Sequence, residues 1–163
     1  MKWHELAEQQ CSVARSLAVI GDRWTLLVLR DLFLGVKRFE SLRDSLGISR
    51  TILSDRLNLL ESEGVLSKHA YQDRPVRHEY HLTQKGIDLY PVLMTIVAWG
   101  DKHYAGEKGP PVLQHHKTCG QDFHGVLHCS QCEEPLSPFE TEPRISDNFS
   151  ELAPLAEVLS SRS

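Results

Sequence analysis

The sequence predicts a mainly α-helical, α+β fold with a small cysteine-rich appendage, and three observations carry that expectation. Apolar residues recur with helical period over most of residues 11–104. That period is interrupted once, between residues 65 and 82, by two short extended runs around a proline-containing polar loop. Beyond the glycine/proline cluster AGEKGPP at 105–111, three of the four cysteines crowd together with histidines.

Val13 to Ile20 is apolar enough for a short helix, stopped at Gly21-Asp22. Trp24 to Leu34 is apolar nearly all round, as a buried helix should be, and Gly35 is placed to end it. Phe39, Leu42 and Leu46 recur as one face of a third helix closed by Gly47. Ser49 can cap the next, whose buried face is Leu53, Leu57 and Leu60 and which ends near Gly64.

Val65–Tyr71 and His78–Leu82 read as strands, and Gln72–Arg77 between them as a polar loop stiffened by Pro75, so the pair forms a β-hairpin. Thr83 then caps a helical stretch carrying Leu89, Val92, Leu93, Ile96 and Val97, which Pro91 should kink or restart. Helix, helix, tight turn, helix, hairpin is the order of a winged helix-turn-helix.

Bulk properties narrow the functional classes. Hydrophobic residues are 40% and charged residues 25% of the 163, the balance of a globular protein. No run approaches the roughly 18 apolar residues of a membrane span, and the polar opening MKWHELAEQQ is unlike a secretory signal, so the expected compartment is the cytoplasm. Net charge is −4, but residues 1–104 carry 14 Lys+Arg against 13 Asp+Glu, while residues 105–163 carry 4 against 9. Such a neutral first part needs only a local basic face to meet phosphates. Enzymatic readings find no nucleophile with a paired base, no phosphate loop and no open metal triad.

In the arrangement FESLRDSL-GI-SRTILSDRLNLLESEG the second helix can enter a major groove. At about 100° per residue, the face opposite Leu53 carries Thr51, Ser54, Asp55 and Asn58, with Arg50 at its edge and Ser49 at its start. Small hydrogen-bonding side chains beside an arginine suit base edges and phosphates. Arg56 lies on the other flank, where its head reaches a phosphate or a carboxylate. Arg74 and Arg77 extend from the hairpin loop, and Lys37 and Arg38 precede the helix pair as a phosphate clamp. A polar face opposite an apolar stripe is also what any solvated helix shows. A winged-helix module that binds proteins without specific DNA binding is therefore the alternative.

The segments GDRWTLLVLRDLFLG, RFESL, GISRTILSDRL and RPVRHEYHLT occur together in one chain, which thereby resembles the HxlR family of MarR-like winged-helix regulators. The resemblance runs from about Cys11 to His103 and resumes at HKTCG and HCSQCEEPL. It implies a homodimeric transcription factor, more often a repressor than an activator, on a near-palindromic double-stranded DNA operator. It places the recognition helix on Ser49–Glu63 and the wing on Gln72–Arg77, with a small-molecule or redox signal as the possible input. Dimer contacts, by the same resemblance, come from the segment before Cys11 and from the terminal helix, which makes Leu93, Ile96, Val97 and Trp99 interface candidates. The other reading of that stripe is packing on the winged-helix body.

In the tail, His116-x2-Cys119-x9-Cys129-x2-Cys132 has the spacing of two opposed zinc-knuckle pairs. A closed Cys3His site holding Zn2+ would be structural and would explain how so short a segment folds. Longer members of the family show a similar tail. His115, His124 and His128 are substitutes for His116, and a metal-free redox pair at Cys129–Cys132 or plain thiols are the alternatives. Glu133-Glu134 departs from the glycine that commonly follows the second knuckle cysteine. Cys11 matches a cysteine with which some family members sense oxidants, quinones or aldehydes, and quiet burial is its other fate. Of the remaining histidines, His78 and His81 should point to opposite faces of their strand, and all read as surface residues.

The whole expectation is a winged helix-turn-helix with helical dimerisation elements and a zinc-ribbon-like module. Residues 1–10 form an arm, 11–104 the winged-helix domain, 105–114 a linker, 115–140 the metal-binding module and 141–163 a flexible tail, within which ELAPLAEVL has the pattern of a short helix.

Overall fold

The computed structural model of the chain describes residues 3–146, 148 and 149, so the expected ELAPLAEVL helix lies outside the described residues. The chain divides into two compact units after Gly125, so the first extends through the expected linker into the expected module. Among the described residues no helix is long and apolar enough to cross a membrane.

The first unit opens with α1 (Trp3–Ala7), α2 (Ser12–Ile20) and α3 (Arg23–Phe33). Asp22 starts α3 by accepting from the Trp24 N–H at 2.9 Å. Its buried residues Val28, Leu29 and Leu32 form the centre of the core, with Leu34 and Gly35 already outside the helix. Then follow α4 (Phe39–Leu46) and α5 (Arg50–Ser62). Gly47 joins them at φ +63°, a left-handed geometry that a side chain would disfavour, and this sharp turn sets the angle between the two helices. Ser49 Oγ accepts from the Ile52 N–H at 3.3 Å, as the cap at the start of α5 requires. The expected stripe Leu53, Leu57 and Leu60 is the buried face of α5, packed with Leu42, Ile48, Val65 and Tyr80.

The wing is an antiparallel pair, β1 (Leu66–Asp73) with β2 (Val76–Leu82). It is longer than the sequence suggests. Gln72 pairs with Arg77 and Asp73 with Val76, so the expected six-residue loop shrinks to a turn at Arg74-Pro75. Polar residues can sit there because both faces of this end of the hairpin meet solvent. The register slips at Tyr71, a bulge that re-aims its ring. A further contact was not foreseen. The Tyr80 N–H donates to the Lys37 carbonyl at 2.9 Å and Arg38 bridges Glu79, so the segment before α4 is laid along the outer edge of β2.

Thr83 caps the short α6 (Gln84–Ile87), its Oγ1 accepting from the Gly86 N–H at 3.3 Å. Pro91 then sits in the first turn of a new helix, α7 (Tyr90–Tyr104), where its missing N–H costs nothing. A 3-10 turn (Gly106–Lys108) leads to the small hairpin β3 (Gln114–His116) and β4 (Gln121–Phe123), which completes the first unit. In the second unit, the Cys129 N–H donates to the Glu134 carbonyl at 2.8 Å and the Glu133 N–H to the Cys129 carbonyl at 2.9 Å, closing a tight knuckle, and His128 bridges Pro135.

Candidate nucleic-acid interface

With Leu53, Leu57 and Leu60 turned inward, α5 presents Thr51, Asp55 and Asn58 to solvent, and Ser54 is half-buried. Arg50, at the first turn, is exposed but not idle. Its terminal nitrogen lies 2.5 Å from Glu40 Oε1 on α4, and its guanidinium stands 5.5 Å from the Phe39 ring centre. The other oxygen of Glu40 is 2.6 Å from Arg43. Arg56 faces the opposite flank, 3.5 Å from the carboxylate oxygen Asp22 Oδ2.

On the wing side, Arg38 Nε donates to Glu79 Oε1 at 2.9 Å, and the guanidinium lies 4.5 Å over the centre of the bulged Tyr71 ring. This hydrogen bond holds the Glu79 carboxyl below the usual carboxylate range and raises Arg38 above its own. His81 Nε2 is 3.6 Å from the second oxygen of Glu79. His81 also meets His69 across the strands, ring centres 5.0 Å apart, a contact that follows from register rather than from spacing along the chain. Arg74 and Arg77 are exposed at the tip of the wing, and among the described residues neither makes an ion pair, nor does the exposed Lys37.

The start of α4, the start of α5 and the wing together enclose a cleft of about 680 Å³. Arg38, Arg50, Ser54 and Arg77 line it, joined by Lys68, Tyr71, Glu40 and His78, none of which the sequence marked as a site residue. Its charged residues are four cations, Arg38, Arg50, Lys68 and Arg77, and one carboxylate, Glu40. A basic cleft between a polar helix and a strand hairpin can hold a polyanionic backbone while the helix face reaches beyond it.

The profile of the HxlR-like helix-turn-helix family matches residues 19–108, which span α3 to the end of the 3-10 turn and hold every element of this cleft. The chain belongs to the HxlR-like helix-turn-helix family. An uncharacterized HTH-type transcriptional regulator of Mycobacterium tuberculosis is 40% identical to this HxlR-like chain over 138 residues, 85% of this chain and 87% of the relative. Among solved structures, PA1607, described as a candidate transcription factor, superposes with a TM-score of 0.77 at 33% identity, covering 88% of this chain and 99% of its own. The redox regulator HypR in its reduced form superposes with a TM-score of 0.52 at 29% identity, over 56% of this chain and 92% of its own. The HxlR-like chain is thus a transcriptional regulator of the helix-turn-helix type.

The remaining expected sites are distributed over this HxlR-like framework. On α7, Leu93 is buried and Val97 half-buried, whereas Ile96 and Trp99 are 43% and 57% exposed. Met94, which the periodicity did not mark, takes the second buried place. Cys11 is exposed at the start of α2, so the chain's own fold does not bury it. Arg15, one turn further along α2, donates to the Gln9 carbonyl at 2.7 Å.

The two halves of the expected zinc-ligand set are each formed locally, one in each unit. His116 Nδ1 lies 3.2 Å from Cys119 Sγ. Zinc–nitrogen and zinc–sulfur bonds of about 2.0 and 2.3 Å at a tetrahedral angle would put two such atoms about 3.5 Å apart, so this pair has a suitable bite. In the knuckle, backbone N–H groups of Gln131 and Cys132 hold the Cys129 thiol below its ordinary range. Among the described residues no three His, Cys, Asp or Glu side chains are gathered as a metal site. Glu133 adopts φ +61°, the conformation that explains why glycine suits the position after a knuckle cysteine.

Proposed function

We propose that the chain is a sequence-specific DNA-binding regulator that acts as a homodimer on a near-palindromic duplex operator, with repression as its first expected mode. The observation that carries the reading is the solvent face of α5. A capped helix offers Thr51 and Asn58 to solvent next to a cleft lined by Arg38, Arg50 and Arg77. Asn58 and Thr51 suit base edges, whereas the arginines and the free Arg74 suit phosphates. An exposed apolar face on α5 would have favoured a protein-binding winged helix, and Ile52 is the one large apolar residue exposed on it. Exposed Ile96 and Trp99 support α7 as a dimer surface, since an isolated protomer has no core of its own for them.

The test is fluorescence anisotropy of the purified chain on its own upstream intergenic DNA, with unlabelled random DNA as competitor. Binding that survives the competitor supports the reading, and binding no tighter than to random DNA refutes it. Repeating the titration with oxidant addresses a second element, control through Cys11. The exposure of that thiol and the shared fold of HypR support it. A Cys11→Ser variant that responds to oxidant as the parent does would sink it. A structural Zn2+ held by His116, Cys119, Cys129 and Cys132 belongs to the same reading, and rests on ligand spacing and on the two preformed pairs. When bound, such an ion would cross-link the tail without offering an open position for catalysis.

A further inference from the structure

Two of the three arginines that line the α5–wing cleft carry a carboxylate of their own. Arg50 is paired with Glu40 at 2.5 Å and Arg38 with Glu79 at 2.9 Å. Neither acid is a neighbour in sequence, the pairs being 10 and 41 residues apart, so the fold brings them together. The arrangement also continues outward. Glu40 shares its second oxygen with Arg43, whose other terminal nitrogen is 2.7 Å from Asp44. Charges alternate along this rim instead of accumulating. The ring of Tyr71 under Arg38 and that of Phe39 beside Arg50 fix the two guanidiniums in place while the carboxylates neutralise them.

For a protein that must find one site among many, this has a consequence. Attraction of lysines and arginines to phosphates is sequence-independent, so every uncompensated cation at the cleft raises affinity for all DNA alike. A phosphate that approaches Arg50 or Arg38 meets the paired carboxylate as well, and the net field it feels is small. Only where α5 gains base contacts is there binding energy to draw the phosphates in against Glu40 and Glu79. Arg38 meets Glu79 through its Nε, so among the described residues its terminal N–H groups are aimed by the pair rather than consumed by it.

Resting on the reading of α5 and the wing as a DNA-binding face, we propose that Glu40 and Glu79 are specificity-determining positioning residues. They hold Arg50 and Arg38 in pose and suppress binding to non-operator DNA. The acids need not touch DNA at all.

The experiment compares the full-length parent with Glu40→Gln, Glu79→Gln and the double variant. Glu107→Gln, an exposed acid in the 3-10 turn, controls for the same change in net charge. Anisotropy is measured on the upstream intergenic duplex and on a random duplex of equal length, from 50 to 200 mM salt. Each of the first two variants should bind random DNA about three- to eightfold more tightly at 0.1 M salt, with a salt slope steeper by about 0.9, the effect of one more phosphate contact. Affinity for the upstream duplex should rise less, so the ratio between the two duplexes falls.

Random-DNA affinities no higher than that of Glu107→Gln overturn the proposal. So does an equal rise on both duplexes, because the acids would then set affinity and not choice. The salt slope separates this from a merely structural role, which would weaken binding without steepening it. Should Glu79→Gln fail to fold, Glu40→Gln on its exposed helix face decides. A parent chain that does not distinguish the two duplexes refutes the reading of the face itself, and a parent that does, with unchanged variants, refutes only the role of the acids.

Discussion

Gly86→Ala should destabilise the protein well beyond an ordinary surface substitution. Gly86 is buried in α6, and a Cβ built on it would stand 2.2 Å from the Val65 carbonyl oxygen and 3.0 Å from Leu82 Cδ2. Contact with the oxygen is about 1 Å too close for any rotamer to relieve, since the clash is with backbone. Nor can the carbonyl turn away freely. It accepts from the Thr83 N–H at 3.1 Å and lies 3.1 Å from Thr83 Oγ1, and the same hydroxyl donates to Gly64 O at 2.7 Å. Backing α6 off by 1 Å forfeits the Thr83 cap, worth about 1 kcal/mol, and one or two hydrogen bonds to Val65 of about 1 kcal/mol each.

Alanine returns about 1 kcal/mol of helix propensity, so the net loss is about 1–2 kcal/mol. In a chain of this length that lowers the melting midpoint by roughly 2–8 °C. Gly100→Ala supplies the opposite case, because Gly100 lies inside α7 with nothing within 4 Å of a new Cβ. It should gain about 0.5–1 kcal/mol from propensity alone. Urea titrations followed by circular dichroism measure both. If the two variants shifted the midpoint in the same direction, or Gly86→Ala moved it by less than about 0.5 kcal/mol, the packing argument around Val65 would be wrong.

Further outcomes are expected for DNA binding, acid unfolding and zinc retention. Asn58→Ala should cost about 1–3 kcal/mol on the preferred duplex and relax discrimination, whereas Arg74→Ala should weaken binding to all duplexes and reduce the salt slope by about 1. Both are read from competition anisotropy. Glu79 titrates lower in the folded chain because Arg38 hydrogen-bonds to it, so its stabilising contribution is complete above the ordinary carboxylate pKa and is lost as pH falls through the lower folded value. Acid unfolding of Glu79→Gln should therefore show a shallower loss of stability in that acidic window than the parent, and parallel curves would contradict the coupling. Elemental analysis of the purified chain should find one zinc per protomer, lost in Cys129→Ser. Glu133→Gly should retain it more firmly against chelator, because it removes a left-handed residue costing about 1–2 kcal/mol.

The helices were legible because their signals are local. Ser49 as a cap, Gly47 as a left-handed stop and Leu53, Leu57 and Leu60 as one face each depend on residues within a turn or two. Polar residues at Gln72–Arg77 suggested a loop, yet the ladder continues through them, because strand pairing at a solvated tip does not require apolar side chains. In α7 the apolar stripe was found but its division was not. Leu93 and Met94 are buried while Ile96 and Trp99 remain outside, and Met94 owes its cover to the chain at Gly125, 31 residues further on.

Least legible was the electrostatic half of the interface. The sequence identified Arg38 and Arg50 as cations for phosphate, but pairing with Glu79 and Glu40 depends on β2 lying beside residue 38 and on the angle at Gly47. No spacing rule encodes that.

The backbone stitch between residues 37–38 and β2 has a mechanical meaning. The loop that feeds α4 is sewn to the hairpin by the Tyr80 N–H to Lys37 carbonyl bond and the Arg38–Glu79 bridge. The hairpin consequently cannot swing as a free flap; pulling its outer strand drags the entrance of α4, and with it the turn that carries α5. Wing and α5 behave as two prongs of one tool. A displacement of either prong is therefore passed to the other through the stitch.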